Sequence, residues 1–214
     1  MDLGVMLTQE RIDTMVGVGA WPNKIILDYV DAALAQDPDL PAITDYNGET
    51  GQSTSISYGQ LDRLTRRMGL ALINNGIKTG DVVSLQLPNW WQFNAMHLAC
   101  ARIGAITNPL MPIFRERELT YMLGFAESKM MIAPDRFRGF EYKPMMEGIR
   151  GELPHLAHIF YIDGKGSDDF GFRVTNKYTC LGNGLPTRIT NNTVKGLWLR
   201  FRALGKNCSR KRQQ

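Results

Sequence analysis

Between residues 57 and 162, short apolar runs alternate with longer stretches of helical spacing, and nothing else in the chain restricts its fold so strongly. Strands that return parallel to one another need a crossover, and a helix packed on the sheet is the usual one. The pattern therefore predicts an α/β fold, a largely parallel sheet with flanking helices. Residues 82–87 read as a strand stopped by Pro88-Asn89, followed by a helix over 91–103 that buries Phe93, Met96, Ala99, Cys100 and Ile103 and ends at Gly104. A short strand over 105–108 precedes Pro109. A helix over 115–127 turns Leu119, Met122, Phe125 and Ala126 inward, 129–133 is a strand, 140–150 a helix and 159–162 a strand. Upstream, 24–36 has helical spacing and 41–46 reads as a strand. Asn47-Gly48 supplies a turn and 53–57 returns as the partner strand. Ser57 with Gln60 fits a capping box opening a helix whose inner face is Leu61, Leu64, Met68, Ala71 and Leu72, closed by Asn75-Gly76. The first twenty residues carry no pattern that assigns them.

Charge divides the chain. Residues 1–170 hold 15 Lys and Arg and all 21 acids, whereas residues 171–214 hold 10 Lys and Arg and no acid. The strand–helix alternation also stops there, so the organisation expected is an α/β domain over 1–165 and an irregular basic tail over 166–214. In the tail, Val194, Leu197, Trp198, Phe201 and Leu204 keep helical spacing beside Lys195, Arg200, Arg202 and Lys206, with Arg210-Lys211-Arg212 following. One reading is a basic amphipathic segment for nucleic acid or an anionic membrane; the other is a solvated end. Cys100, Cys180 and Cys208 are odd in number and form no CxxC, which favours neither a disulfide framework nor a cysteine zinc site. No basic, apolar leader opens the sequence and no apolar run is long enough for a transmembrane segment. A cytoplasmic protein is expected. Asn191-Asn192-Thr193 and Asn207-Cys208-Ser209 match glycosylation acceptors, which carry no weight without a secretion signal.

Chemistry is sparse. Gly164-Lys165-Gly166-Ser167 lacks the upstream glycine of a phosphate loop and the helix that should follow, so it reads as a surface turn; Gly17-Val18-Gly19 and Gly182-Asn183-Gly184 lack a third glycine between strand and helix. His155 and His158 are three apart but follow Pro154 and have no carboxylate or cysteine partner, which favours solvated histidines over a metal pair. His97 reads as a satisfied neighbour of the core. No GxSxG elbow occurs. Trp90-Trp91 sits where a strand's carboxyl end meets a helix, the edge at which open α/β sheets bind ligands; lining an apolar pocket and packing against a layer both remain open. Arg115-Glu116-Arg117-Glu118 offers cations to an anion, or is a solvated helix start. An oxidoreductase would need GxGxxG after a strand, which is missing.

Several segments, in order, resemble the N-terminal part of the AMP-forming acyl-CoA synthetase and adenylate-ligase superfamily. Ser57-Tyr58-Gly59-Gln60-Leu61 resembles its [TS]-Y-x-[EQ]-L block, and Gly76 to Val83 its G-x-x-x-G-D-x-V turn into a strand. Leu87-Pro88-Asn89 and Ala101 to Pro109 resemble the next two. PNWWQF, HLACARIGA, NPLMPIFRERELTYML and FAESK are closer still to the cyclohexanecarboxylate-CoA and medium-chain acyl-CoA ligase branch, and the similarity runs from about Leu7 to about Asp169. The resemblance implies ATP-driven activation of a carboxylic acid as an acyl-adenylate with loss of pyrophosphate, then displacement of AMP by the thiol of coenzyme A. ATP, magnesium and coenzyme A are thus implied for the intact family. The family's working parts are a Ser/Thr/Gly-rich loop ending in Pro-Lys-Gly, a Thr-Glu pair near magnesium, an Asp on the ribose and a Lys on a mobile C-terminal domain. None of the four occurs in these 214 residues.

The expectation is an incomplete N-terminal subdomain of the acyl-adenylate-forming ligase fold, inactive alone, with no catalytic, cofactor-binding or metal-binding residue and no cofactor of its own. A companion chain carrying the rest of the ligase is the partner it calls for; a specific nucleic acid is not. Apolar area left exposed where the remainder would pack predicts marginal stability, and the acid-free tail reads as out-of-frame or foreign sequence. The alternative is a non-catalytic α/β interaction module acting through the basic tail.

Overall fold

A computed structural model describes residues 8–22 and 24–162; what was expected of residues 164–169, 182–184 and 194–204 lies outside the described residues. Helix α1 (Gln9–Gly17) is capped by Thr8, whose Oγ1 accepts from the Arg11 N–H at 3.3 Å, and none of its residues is buried. A helix with no face against a core leaves no apolar stripe, which is why its sequence carried no signal. Helix α2 (Ile26–Gln36) follows, its first turn fastened by Asp28 Oδ2, which accepts from the Ile25 N–H at 2.8 Å. Strands β1 (Pro41–Asn47) and β2 (Gln52–Ser57) form an antiparallel hairpin. Its turn is longer than Asn47-Gly48: the Gly51 N–H closes it on Asn47 O at 2.8 Å, and Asn47 Oδ1 accepts from the Glu49 N–H at 2.9 Å. The capping box at the start of α3 (Tyr58–Asn74) is present in both directions: Ser57 Oγ accepts from the Gln60 N–H at 3.3 Å and Gln60 Oε1 from the Ser57 N–H at 2.8 Å.

The alternation then runs as expected through β3 (Val82–Leu85), α4 (Trp91–Ile103), β4 (Ile106–Pro109), α5 (Glu116–Phe125) and β5 (Met130–Pro134). A short hairpin, β6 (Arg136–Phe137) and β7 (Phe140–Glu141), precedes α6 (Tyr142–Ile149) and β8 (His158–Ile162). The expected helix over 140–150 therefore starts two residues late, because Phe140 and Glu141 pair with Phe137 and Arg136. The sheet order is β4-β3-β5-β8 and every pairing is parallel. From β3 the chain moves to β4 on one side, whereas β5 lies on the other. The connections leaving β3 and β5 thus diverge, and the crevice between their carboxyl ends is the switch point of the sheet.

A parallel sheet has to bury both faces. On one face, Val83, Leu85, Met130, Ile132, Phe160 and Ile162 join the inner sides of α3 and α4 in one core. On the other, Met131, Ala133 and Tyr161 pack with Leu119 and Leu123 of α5 and with α6. Phe125 does not join them: it is 65% exposed and stacks on Tyr121 instead. The buried stripe of α5 is Leu119 and Leu123, and Phe125 lies about 200° round the helix from Leu123. Gly104 ends α4 in the left-handed conformation (φ 73°), where a Cβ would also meet Thr79 Cγ2 at 2.9 Å. Only glycine meets both demands here.

One buried charge ties the helices together. Arg102 sits on the inner side of α4 and is 2% exposed. Its Nε donates to Thr65 Oγ1 at 3.0 Å, and its Nη2 to Asp62 Oδ1 at 2.8 Å and Asp31 Oδ1 at 3.3 Å. Asp62 Oδ2 in turn accepts from Arg66 Nε at 2.8 Å. A guanidinium in a core is tolerable only with such partners, and removing it strands the carboxylates they face. Arg102→Ala is expected to lower unfolding free energy by about 3 kcal/mol. Asp31→Asn, which alters the longest and most exposed of these contacts, should cost less than about 1 kcal/mol. Urea denaturation of the two variants tests the order.

Candidate functional site

The carboxyl edge of the sheet opens into a cleft of ≈ 520 Å³. Its floor is Pro88, Asn89 and Trp90 after β3, and one wall is Pro112 and Ile113 after β4. Phe137 and Arg138 of the β6–β7 hairpin face them, and the tip of the β1–β2 hairpin closes the end, where Glu49 Oε2 accepts from the Arg138 N–H at 3.1 Å. Arg138 and Gly139 both take positive φ (49° and 76°), the twist a two-residue hairpin turn needs. Gly139 was the one sequence signal for that hairpin; strands of two residues are too short to show alternation.

The two tryptophans serve packing and cleft together. Trp90 is 6% exposed within the core and meets Phe137 edge-on at 5.8 Å, while also bordering the cleft. The Trp91 N–H donates to Asp45 Oδ2 at 3.2 Å. Arg115 is half-buried and turned inward rather than held out in solvent: its guanidinium lies 3.9 Å from the Phe140 ring centre, and Nη1 donates to Pro112 O at 2.8 Å and Phe114 O at 2.9 Å. The rest of the Arg115–Glu118 run is exposed, and Glu118 Oε2 accepts from the Arg115 N–H at 3.1 Å. That hydrogen bond, first among the causes, holds the Glu118 carboxyl below its ordinary range.

The remaining candidates lie apart from the cleft. His155 is exposed in the turn before β8, and His158 opens that strand with its ring stacked on Phe160 at 6.0 Å, so the two do not share a helical turn. His97 Nδ1 lies 3.1 Å from Thr107 Oγ1 between α4 and β4. Gly17-Val18-Gly19 closes α1, with no strand before it among the described residues. Among the described residues no group of three His, Cys, Asp or Glu is placed to hold a metal ion, and no helix is long and apolar enough to cross a membrane.

An anion such as a nucleotide phosphate is held at a sheet edge by backbone N–H groups and open helix starts. Here β4 and β5 end in Pro109 and Pro134, Pro88 follows β3, and a proline has no N–H to give. At each of the two long helices that begin at this edge, one N–H already pairs with a carboxylate of the chain itself, Trp91 with Asp45 and Arg115 with Glu118. The prolines and these two bonds reduce the backbone N–H groups that the edge offers to a phosphate. Sequence reasoning missed the Arg102 cluster, which a charged residue on the apolar stripe of α4 could have signalled, and the inward-turned Arg115.

A parallel sheet flanked by helices, with a cleft at its carboxyl edge, defines an open-sheet α/β domain; comparison with known proteins narrows this. A family model described as AMP-binding enzyme matches residues 30–178. The chain is 32% identical over 145 residues to a medium-chain fatty-acid–CoA ligase of Escherichia coli, covering 68% of this chain and 25% of that protein. It is 33% identical over 150 residues to a 2,3-dihydroxybenzoate-AMP ligase of Bacillus subtilis, covering 70% and 27%. Among solved structures, an anthranilate CoA ligase in complex with anthranoyl-AMP superposes with a TM-score of 0.59 at 20% identity, covering 76% of this chain and 28% of that one. This protein belongs to the AMP-binding enzyme family, and its fold is that of part of an acyl-adenylate ligase. It spans about a quarter of the length of the curated relatives it matches.

Cys100, the cysteine among the described residues, is fully buried in α4, and burial pushes its thiol up to about 12 against a smaller opposing effect of the Thr107 hydrogen bond. A raised thiol holds its proton more tightly in the folded chain than in the unfolded one. That contribution to stability is complete below about pH 9 and is lost as pH rises towards 12. At pH 8 the native protein should leave Cys100 unlabelled by a thiol reagent, read peptide by peptide, with full labelling in urea.

Proposed function

We propose that this chain is the N-terminal portion of an ATP-dependent acid–thiol ligase and does not catalyse the ligase reaction alone. On this reading, residues 1–165 are the partial ligase domain, the tail over 166–214 is foreign to it at least beyond residue 178, where the family match ends, and none of the 214 residues is catalytic. The observation that carries the proposal is the state of the carboxyl edge: prolines at the strand ends and the chain's own carboxylates on one N–H of each long helix start reduce the backbone donors available to phosphates. The absence of Pro-Lys-Gly and of the other three family elements from the sequence supports it independently. So does the exposure of Ile106, Met111, Ile113, Tyr121 and Phe125, apolar side chains that a larger assembly would cover.

In the intact ligase, ATP and magnesium turn a carboxylate oxygen into a leaving group and coenzyme A supplies the thiol. This chain's part would be to shape one border of the site: Trp90, Phe137 and Ile113 give the cleft an apolar lining, and the Glu49–Arg138 contact closes its end. A companion polypeptide bearing the phosphate loop would complete the site, and the cytoplasm, where ATP and coenzyme A are available, is its proposed location. The purified chain, given ATP, magnesium, coenzyme A and medium-chain or alicyclic acids, should release no pyrophosphate and form no thioester above the protein-free rate. Turnover by the chain alone would overturn the proposal.

A further inference from the structure

The segment between β4 and α5, residues 110–115, forms one wall of the cleft, and its backbone is held in an unusual way. Loop carbonyls normally face water. Here three of them, in a run of four residues, are taken by side chains. Gln86, fully buried beneath the segment, donates from Nε2 to Met111 O and to Phe114 O, both at 3.0 Å. Tyr142 Oη–H donates to Pro112 O at 2.8 Å, and Arg115 Nη1 donates to both Pro112 O and Phe114 O. The guanidinium itself lies over the Phe140 ring at 3.9 Å, with the Tyr142 ring, edge-on to Phe140, at 5.9 Å.

We infer that Arg115, with Gln86 and Tyr142, is a positioning residue that locks residues 110–114 as a rigid strap and so sets the cleft wall. With the carbonyls drawn inward, the strap turns Met111 (53% exposed) and Ile113 (66%) out, while Leu110 is buried and Phe114 packs on the second core; Ile113 borders the cleft. A free loop of this composition would fold its isoleucine away from water and lose its carbonyls to it; the five hydrogen bonds from below reverse that preference. Arginine suits the post because the Nη1 amino group can donate to both carbonyls while the guanidinium plane lies over a ring; a lysine ammonium can donate to carbonyls but has no planar face to stack. Burial raises the Tyr142 phenol above its ordinary range, so its hydroxyl remains a donor through neutral pH. The importance of the wall to a ligand rests on the functional reading above; the locking does not.

Hydrogen exchange of the full chain tests it, since no ligand enters the measurement and a failed ligase reading would leave the result intact. The reporters are the Leu110 N–H, bonded to Leu85 O, and the Phe114 N–H, bonded to Met111 O. The control is the Gln86 N–H, bonded to Ile132 O within the sheet. Arg115→Ala should speed exchange of the Phe114 amide by about tenfold or more, as expected for losing charge-assisted bonds, with the Gln86 amide unchanged. Arg115→Lys should restore only part of the protection. Tyr142→Phe, which keeps the buried ring, should give a smaller acceleration confined to the strap and serves if Arg115→Ala fails to fold. Unaltered exchange at Leu110 and Phe114 in these variants, full rescue by lysine, or acceleration spread equally to Gln86 would each overturn the inference.

Discussion

A parallel sheet must be covered on both faces, and the rest of this structure follows from how β3 and β5 meet that demand. Their alternate side chains feed two separate cores, one closed by α3 and α4 and the other by α5 and α6. Polar groups that enter the sheet region are buried with partners for most of their atoms. Ser84 Oγ lies 2.6 Å from Ser128 Oγ and accepts from Asn108 Nδ2 at 3.0 Å, and Gln86 donates from Nε2 to the strap while its Oε1 is buried without a hydrogen-bond partner. The strand that fills the core thus also fixes the cleft wall. In the helical layer Arg102 links α2 and α3 to α4 through its hydrogen bonds to Asp31, Asp62 and Thr65.

The carboxyl edge is where members of this fold class meet their ligands, and here part of its polar capacity is already committed. Asp45 reaches across from the β1–β2 hairpin to the N–H of Trp91, Glu118 folds back on the N–H of Arg115, and prolines stand at the strand ends. The cleft is lined by apolar and aromatic side chains together with Asn89 and the contacting pair Glu49 and Arg138. Such a surface can shape a site and exclude water from it. A ligase built on this framework would have to bring its anion-binding loop from other residues.

Strong periodicity made most of this framework legible. Helix α4 spans Trp91–Ile103 as its apolar spacing and Gly104 required, and the Ser57–Gln60 box marked the start of α3. Illegible parts are those that lack a buried stripe or are too short to repeat: α1 has no buried residue and β6 and β7 have two residues each. Two side chains went against expectation for tertiary reasons. Phe125 falls off the face that α6 covers, and Arg115 turns inward onto the Phe140 ring and the Pro112 and Phe114 carbonyls. Neither the rings of Phe140 and Tyr142 nor the carbonyls of the strap can be read from the Arg-Glu-Arg-Glu run itself. The ligase motifs, by contrast, identified the family because they record turns and strand ends, such as Gly80-Asp81 and Leu87-Pro88-Asn89, that the fold uses directly.

The central claim is that this polypeptide has the framework of an acyl-adenylate ligase without a place for the nucleotide. Titration of magnesium-ATP into the full-length chain by calorimetry addresses it at equilibrium, before any question of turnover. The account predicts no saturable heat. A stoichiometric, micromolar binding isotherm would contradict it.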